Sequence, residues 1–358
     1  MGSGGRGLVP EVADGEAVPM TVIAQERRGA QEQRGSDFAR LSREIAAAGL
    51  MRRRPGRYAV TIGLTALLFA GSWVAFVFVG NSWWTLAIGA LCAIATTQVA
   101  FLGHDAGHKQ MFRSRRAAEV AGLTVGNLAT GLSFGWWVDK HNRHHANPNH
   151  EDHDPDVGEG VIVWTEKQAA KRTGWGRWFA RNQARLFFPL LTLEGLNLHV
   201  SSIKALFNVP MRHRRTEALL LVMHTIGYFA LVFSVLPPGK ALAFMAVHQG
   251  LWGVYMGMSF APNHKGMPVL TAADELDFLR KQVLTSRNVL GGKWVDVVLG
   301  GLNYQVEHHL FPSMPRANLR RAAPIVRAYC AEHNIPYHWA GMVESYRQAL
   351  TYMHNVAR

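Results

Sequence analysis

Seventeen histidines stand in a chain of 358 residues, and eight of them fall into four short groups. "HDAGH" holds His104 and His108, "HNRHH" holds His141, His144 and His145, "PNH" ends on His264, and "QVEHH" holds His308 and His309. On a helix, positions i, i+3 and i+4 share a face, so each box directs its imidazoles to one point. Imidazole is the commonest metal ligand, and eight exceed the coordination of one ion, so two ions are implied. No cysteine accompanies the boxes, which argues against a zinc ribbon or an iron–sulfur cluster. Imidazole suits zinc, copper, iron and nickel alike, and composition leaves the metal open. The other nine, His150, His153, His199, His213, His224, His248, His333, His338 and His354, lie outside this patterning and read as surface, capping or packing residues.

Elements that could bring these boxes together are written in the distribution of charge. Tyr58 to Gly103, Ala218 to Gly239 and Ala241 to Asn263 carry no charged side chain. A helix crosses the hydrocarbon core with about 20 apolar residues. The stretches therefore hold four spans, expected at 59–80, 83–103, 218–238 and 241–262. Short links, "NSWW" and "PPGK", join them into two hairpins, while arginine clusters at 52–57, 113–116 and 212–215 mark the opposite ends as cytoplasmic. His104 and His264 follow the two spans that run inward, so packed hairpins bring the boxes to one face. The reading is an all-α integral membrane protein: four transmembrane helices in two hairpins with a cytoplasmic helical cap (104–217 and 264–340) holding a di-metal site.

The remaining segments complete this division. Residues 1–57, without a sustained apolar period, are expected to be a flexible cytoplasmic tail and pre-membrane segment, 58–340 the functional domain, and 341–358 a C-terminal cytoplasmic helix or tail. No signal peptide is expected before the first span. Two uncharged or apolar stretches, Val120 to Val138 and residues 186–198, are expected to lie in the interface or against the spans rather than cross. The formal charge of +13 reflects basic residues beside spans, suited to anionic lipid, and no nucleic-acid motif accompanies it. Two cysteines, one within a span, give no disulfide framework.

Taken together, "HDAGH", "HNRHH" and "QVEHH", separated by four spans in this order, resemble the three histidine boxes of the membrane fatty acid desaturases over about residues 58–340. "HHANPNHEDHDPD" and "FAPNHKGMP" further resemble the actinobacterial acyl-CoA desaturases. The resemblance implies two non-haem irons held by His104, His108, His141, His144, His145, His308 and His309, with His264 adding one ligand from the fourth span. It also implies a bacterial plasma-membrane enzyme with a cytoplasmic active site, working on a long-chain acyl-CoA (stearoyl-CoA, delta-9) or an acyl lipid with O2. In the branch whose third box begins with glutamine, some members carry a fused cytochrome b5-like domain. No His-Pro-Gly-Gly motif stands in this N-terminal region, so electrons are expected from a separate ferredoxin-type or flavin and iron–sulfur reductase docking on the basic face.

Around the boxes, outer hydrogen bonds to the ligand histidines are expected first from Asp105 and Glu307, then from Asn263, Asp154 or Asp156. The acidic stretch "EDHDPDVGE" reads otherwise as a solvated loop. Gln305 shares a face with His308 and His309, but a neutral amide is a weak donor to iron, so it is expected to bond a ligand histidine or a metal-bound water. Arg185 or Arg212 are candidates for coenzyme A phosphates. Three rivals compete with desaturation. A hydroxylase could use the same centre; an intramembrane metalloprotease would use the His104/His108 spacing with Asp105 as base; a metal carrier would need ligands along a crossing path.

Overall fold

The structure is a computed structural model that describes residues 36–358, so the first 35 residues of the expected tail lie outside it. From Ser36 the chain is folded, which corrects the tail reading for residues 36–57. Helix α1 (Ser36–Ala47) repeats apolar residues at Phe38, Leu41 and Ile45. With Leu50 the last two are buried against Leu319, Val326 and Tyr329, near the other end of the sequence.

The two expected hairpins are present. Helices α2 (Pro55–Val79) and α3 (Thr85–Gly107) form the first. Pro55 begins α2 at a position where no helical N–H is needed, and Gly80 ends it at φ 60°. Beyond α3 come α4 (Arg115–Gly122), continued by a π-helical stretch Leu123–Thr130, and α5 (Phe134–Ala146). The uncharged stretch Val120 to Val138 is thus broken at Gly131, whose φ is 69° and which closes the π-helix. Then follow α6 (Glu166–Ala170), α7 (Gly174–Leu191) and α8 (Glu194–Asn208). The last two meet at 82°, so the apolar segment 186–198 is a corner rather than one flat helix.

Helices α9 (Arg214–Val235) and α10 (Pro238–His264) make the second hairpin. Among the described residues α2, α3 and α9 are long and apolar enough to cross a membrane. α10 is longer, at 27 residues, but His248 and Gln249 dilute its hydropathy. These polar groups face inward: His248 bonds Thr96 at 3.3 Å and Tyr228 at 3.1 Å, and Gln249 bonds His199 at 3.2 Å. A helix with its polar residues satisfied by neighbouring helices can sit in lipid as the central member of a bundle. Phe76, Cys92, Val232, Leu236 and Phe244 join all four long helices in one apolar cluster. Gly253 lets α10 approach the α7–α8 corner, where a Cβ would stand 2.5 Å from the Leu191 carbonyl oxygen.

The cap ends with α11 (Phe278–Leu284), β1 (Arg287–Leu290), α12 (Gly292–Val298), α13 (Gln305–Leu310), α14 (Arg316–Glu332), β2 (His338–Gly341) and α15 (Met342–Asn355). β1 and β2 pair in parallel from Arg287↔His338 to Leu290↔Gly341, a two-stranded sheet in a mostly helical fold. Their neighbourhood braces the last turn of α10. Pro262 interrupts that turn and has no N–H for the Met258 carbonyl; the Tyr346 hydroxyl of α15 donates there instead. Arg287, buried, donates to the carbonyls of Pro262 (2.9 Å), Lys265 (2.9 Å) and Ser345 (3.1 Å). Burial pushes its guanidinium down to about 10. It remains a cation at neutral pH, set against the negative end of the α10 dipole.

Candidate metal centre

Four helix ends deliver the histidine groups. His104 sits in the last turn of α3, with His108 as its C-cap, and His264 is the last residue of α10. His141, His144 and His145 lie along α5, and His308 and His309 on the six-residue α13. α5 is aimed by its N-terminus, where the Ser133 hydroxyl accepts from Trp136 N and donates to Glu217 of α9 at 2.7 Å. The same carboxylate accepts from Gly135 N at 3.2 Å and from Asn127 at 3.1 Å. A buried carboxylate at a helix N-terminus complements the dipole and satisfies otherwise bare N–H groups.

All eight imidazoles of the four groups converge. One set of ring nitrogens, from His104, His108, His141 and His308, lies within 4.8 Å mutually, and a second comes from His144, His264 and His309. His145 stands between them, its ring 4.7 Å from that of His308 and stacked at 4.2 Å on His309. Nitrogens face nitrogens: His108 Nε2 to His141 Nε2 is 2.9 Å, His141 to His145 is 3.0 Å and His104 to His308 is 3.2 Å. Burial, aided by the neighbouring imidazoles, holds His108, His141, His145, His308 and His309 well below the ordinary histidine range, so they are neutral.

The outward ring nitrogens decide where the protons are. His144 Nδ1 meets Asp154 at 2.9 Å, and His264 Nδ1 meets the Thr285 carbonyl at 2.9 Å. His309 Nδ1 meets Gln282 Oε1 at 2.9 Å, an oxygen fixed as such because the same amide donates to the His145 carbonyl. Carboxylate and carbonyl oxygens only accept, so these histidines carry Nδ1–H and turn Nε2 inward. His309 Nε2 is buried without any partner. Ring nitrogens at such spacing are held by N–H···N bonds between neutral rings or by a cation lying among them. Two nitrogens each about 2.1 Å from one ion at a right angle would stand about 3.0 Å apart. The residues fit metal ions.

Other expected site residues fall less evenly. Asp154 is buried and also accepts from the backbone of Asn149 at 2.7 Å, so the solvated-loop reading is corrected at this residue. Asp156 lies 3.5 Å from His144 and 2.6 Å from Lys140. Asp105 is 3.5 Å from His104 but its second oxygen pairs with Arg316 at 3.1 Å. A carboxylate held that way is not aimed at a substrate as a protease base would be. Glu307 bonds no box histidine: it accepts from Asn288 at 2.8 Å and Tyr337 at 2.6 Å. Gln305 contacts His264 Nε2 at 2.9 Å and accepts from Asn263 at 3.2 Å. Sequence reasoning missed Gln282, the Thr285 carbonyl, and Trp137, whose ring stacks 4.5 Å from His141.

A cavity of about 300 Å³ adjoins the cluster. His104, His141, His144 and His264 form part of its wall, and Leu132, Leu198 and Met256 line an apolar part. Lys140, Asp156 and Lys265, all partly exposed, supply polar lining; the Lys265 ammonium lies 3.9 Å over the Trp164 ring. Asp154→Ala should remove the acceptor that fixes His144, and a lost partner of this kind costs about 10–100-fold in metal affinity. Metal retained after dialysis against a graded chelator series checks this; retention equal to wild type would show that Asp154 does not hold the ring.

The chain is similar over residues 81–341 to the family model described as fatty acid desaturase. It is 30% identical to the Delta(8)-fatty-acid desaturase of Helianthus annuus over 315 residues, 84% of this chain and 69% of that protein. With the Acyl-lipid (9-3)-desaturase of Borago officinalis it shares 29% over 335 residues, covering 90% and 75%. With the Delta(6)-fatty-acid desaturase fat-3 of Caenorhabditis elegans it shares 27% over 358 residues, covering 96% and 80%.

Proposed function

The chain belongs to the fatty acid desaturase family, and on that premise we propose that it is an O2-dependent membrane desaturase of long-chain acyl groups working at two irons held by histidine. The observation that carries the reading is the inward crowding of neutral imidazoles beside an apolar cavity. His104, His108, His141 and His308 would hold one ion, His144, His264 and His309 the other, and His145 would stand at their junction. When bound, the irons supply the reduction of O2 and the removal of hydrogen from two adjacent methylenes. The chain's own part is positional. Asp154, the Thr285 carbonyl and Gln282 fix the tautomers of His144, His264 and His309. The apolar lining excludes water and sets the depth at which a uniform alkyl chain meets the cluster.

Polar groups at Lys140, Asp156 and Lys265 suit the head of the acyl carrier. The stearoyl-CoA, delta-9 specificity suggested by the actinobacterial resemblance has no counterpart in the names of the three relatives, which specify delta-8 and delta-6 fatty acids and an acyl lipid. The proposal is therefore a desaturase of a long-chain acyl group whose carrier, coenzyme A or lipid, is read from the product. We place the centre on the cytoplasmic side, because Arg113, Arg115, Arg116, Arg212, Arg214 and Arg215 flank the membrane helices at that end. Electrons are to come from a redox protein drawn to this basic surface.

The test is expression in cells with a defined fatty acid supply, with lipid and acyl-CoA fractions analysed separately by mass spectrometry that locates double bonds. Metal is measured on the purified protein. A new cis-unsaturated chain and about two irons per chain are expected. Active protein holding zinc and no iron, or a hydroxylated product without unsaturation, would overturn the reading.

A further inference from the structure

Helix α12 is seven residues long and amphipathic in an unusual setting. One side is tied to the cap: Asp296 accepts from Arg320 at 2.7 Å and from Asn303 at 2.9 Å, and Val295 is buried with Val289 and Leu299. The other side is bare, with Trp294 63% and Val297 66% exposed and Leu290 and Val298 beside them.

Each of its last four carbonyls has a partner within the protein. Val295 O accepts from Leu299 N at 2.8 Å, Asp296 O from Gly301 N at 2.7 Å, and Val297 O from Gly300 N at 3.2 Å. Val297 O also receives the Gln98 amide at 3.3 Å, and Val298 O receives the Tyr255 hydroxyl at 2.7 Å. Gln98 belongs to α3 and Tyr255 to α10, and the two are joined at 3.0 Å. Side chains of two membrane helices thus reach out of their seam to complete the end of a short helix. In water such carbonyls are hydrated without help; in hydrocarbon each must find a partner within the protein. One turn before Gln98 and Tyr255 stand the exposed Ile94 and Leu251, so the bare face of α12 continues the lipid-facing surface of the hairpins.

We infer that α12 is inserted into the bilayer edge, with Trp294, Val297 and Val298 against lipid acyl chains and the Gln98–Tyr255 pair standing in for water at its carbonyl end. Lys293, exposed at its first turn, can reach the headgroups. The segment is far too short to span, and it fastens the cap to the membrane beside α3 and α10.

The test uses the full chain in vesicles of phosphatidylethanolamine and phosphatidylglycerol. Trp294→Cys and Val297→Cys carry nitroxide labels, the two native cysteines being buried. Leu67→Cys on α2 and Arg43→Cys on α1 give lipid and water references. Labels at 294 and 297 should collide with O2 readily and with a water-soluble nickel chelate poorly, as at 67. Readings like those at 43 would overturn the inference, and so would poor access to both reagents, which would mean that protein covers the face. Independently, Tyr255→Phe removes one hydroxyl: a carbonyl stranded in hydrocarbon should lower the Tm of the reconstituted protein by several degrees, whereas an unchanged Tm would place Val298 O in water.

Discussion

His145→Ala is expected to abolish desaturation and release at least one metal ion per chain. Its imidazole lies between the two groups, 4.5 Å from the ring of His141, 4.7 Å from His108 and 4.2 Å from His309. Alanine would leave a gap among the ring nitrogens that no neighbouring side chain is placed to fill. His333→Ala and His354→Ala, on or beside helices remote from the cluster, should retain substantial activity and full metal. Gln305→Ala is the informative intermediate. Its amide touches His264 Nε2, so the variant should keep nearly all its metal while losing much of its activity. Metal content by plasma emission and product by mass spectrometry are read on the same preparations. Full metal in His145→Ala would remove that residue from the ligand set, and loss of a whole ion on removing Gln305 would make its amide oxygen a ligand.

Gly131→Ala should be strongly destabilising. Gly131 closes the π-helix in the left-handed region, and a Cβ there would fall 2.5 Å from the His224 ring and 2.8 Å from that of His199. Those rings cannot simply retreat, because His199 Nδ1 bonds the Gly131 carbonyl at 3.0 Å and His224 Nδ1 bonds that of Leu128 at 2.9 Å. Left-handed strain and overpacking together cost about 2–5 kcal/mol. Thr130 and Leu132, on either side, line the cavity, so the surviving protein should also process a shorter range of acyl chains. Thermal unfolding of the purified protein checks the first effect. A Tm equal to wild type would mean that the turn repacks.

What could be read from sequence was what repeats or persists. Uncharged stretches of span length located the hairpins, and spacing of three and four residues located the boxes, because both depend on periods that short segments carry by themselves. The outer partners of the histidines were not legible, since Gln282 and Thr285 reach the cluster from a separate helix and one acts only through its backbone. Glu307 illustrates a different failure. Adjacency to His308 suggested a role beside it, but successive residues on a helix point about 100° apart. Its carboxylate accordingly turns to Asn288 and Tyr337. Asp154, by contrast, is ten residues beyond His144, and a tight turn after Ala146 brings it back under the ring. The folded start at α1 was missed because its apolar period is short and its partners lie nearly 300 residues away.

Pro262 sets an order of events during synthesis. The turn that carries His264 lacks one of its own hydrogen bonds and borrows from Arg287 and Tyr346. Tyr346 leaves the ribosome more than 80 residues after His264. His308 and His309 also emerge before it. A nascent chain therefore has every histidine of the centre in hand while one of them still stands on an unfinished helix end. The last turn of α10 is thus complete only once α15 has docked, and a stop before Tyr346 would leave His264 on an unfinished helix end.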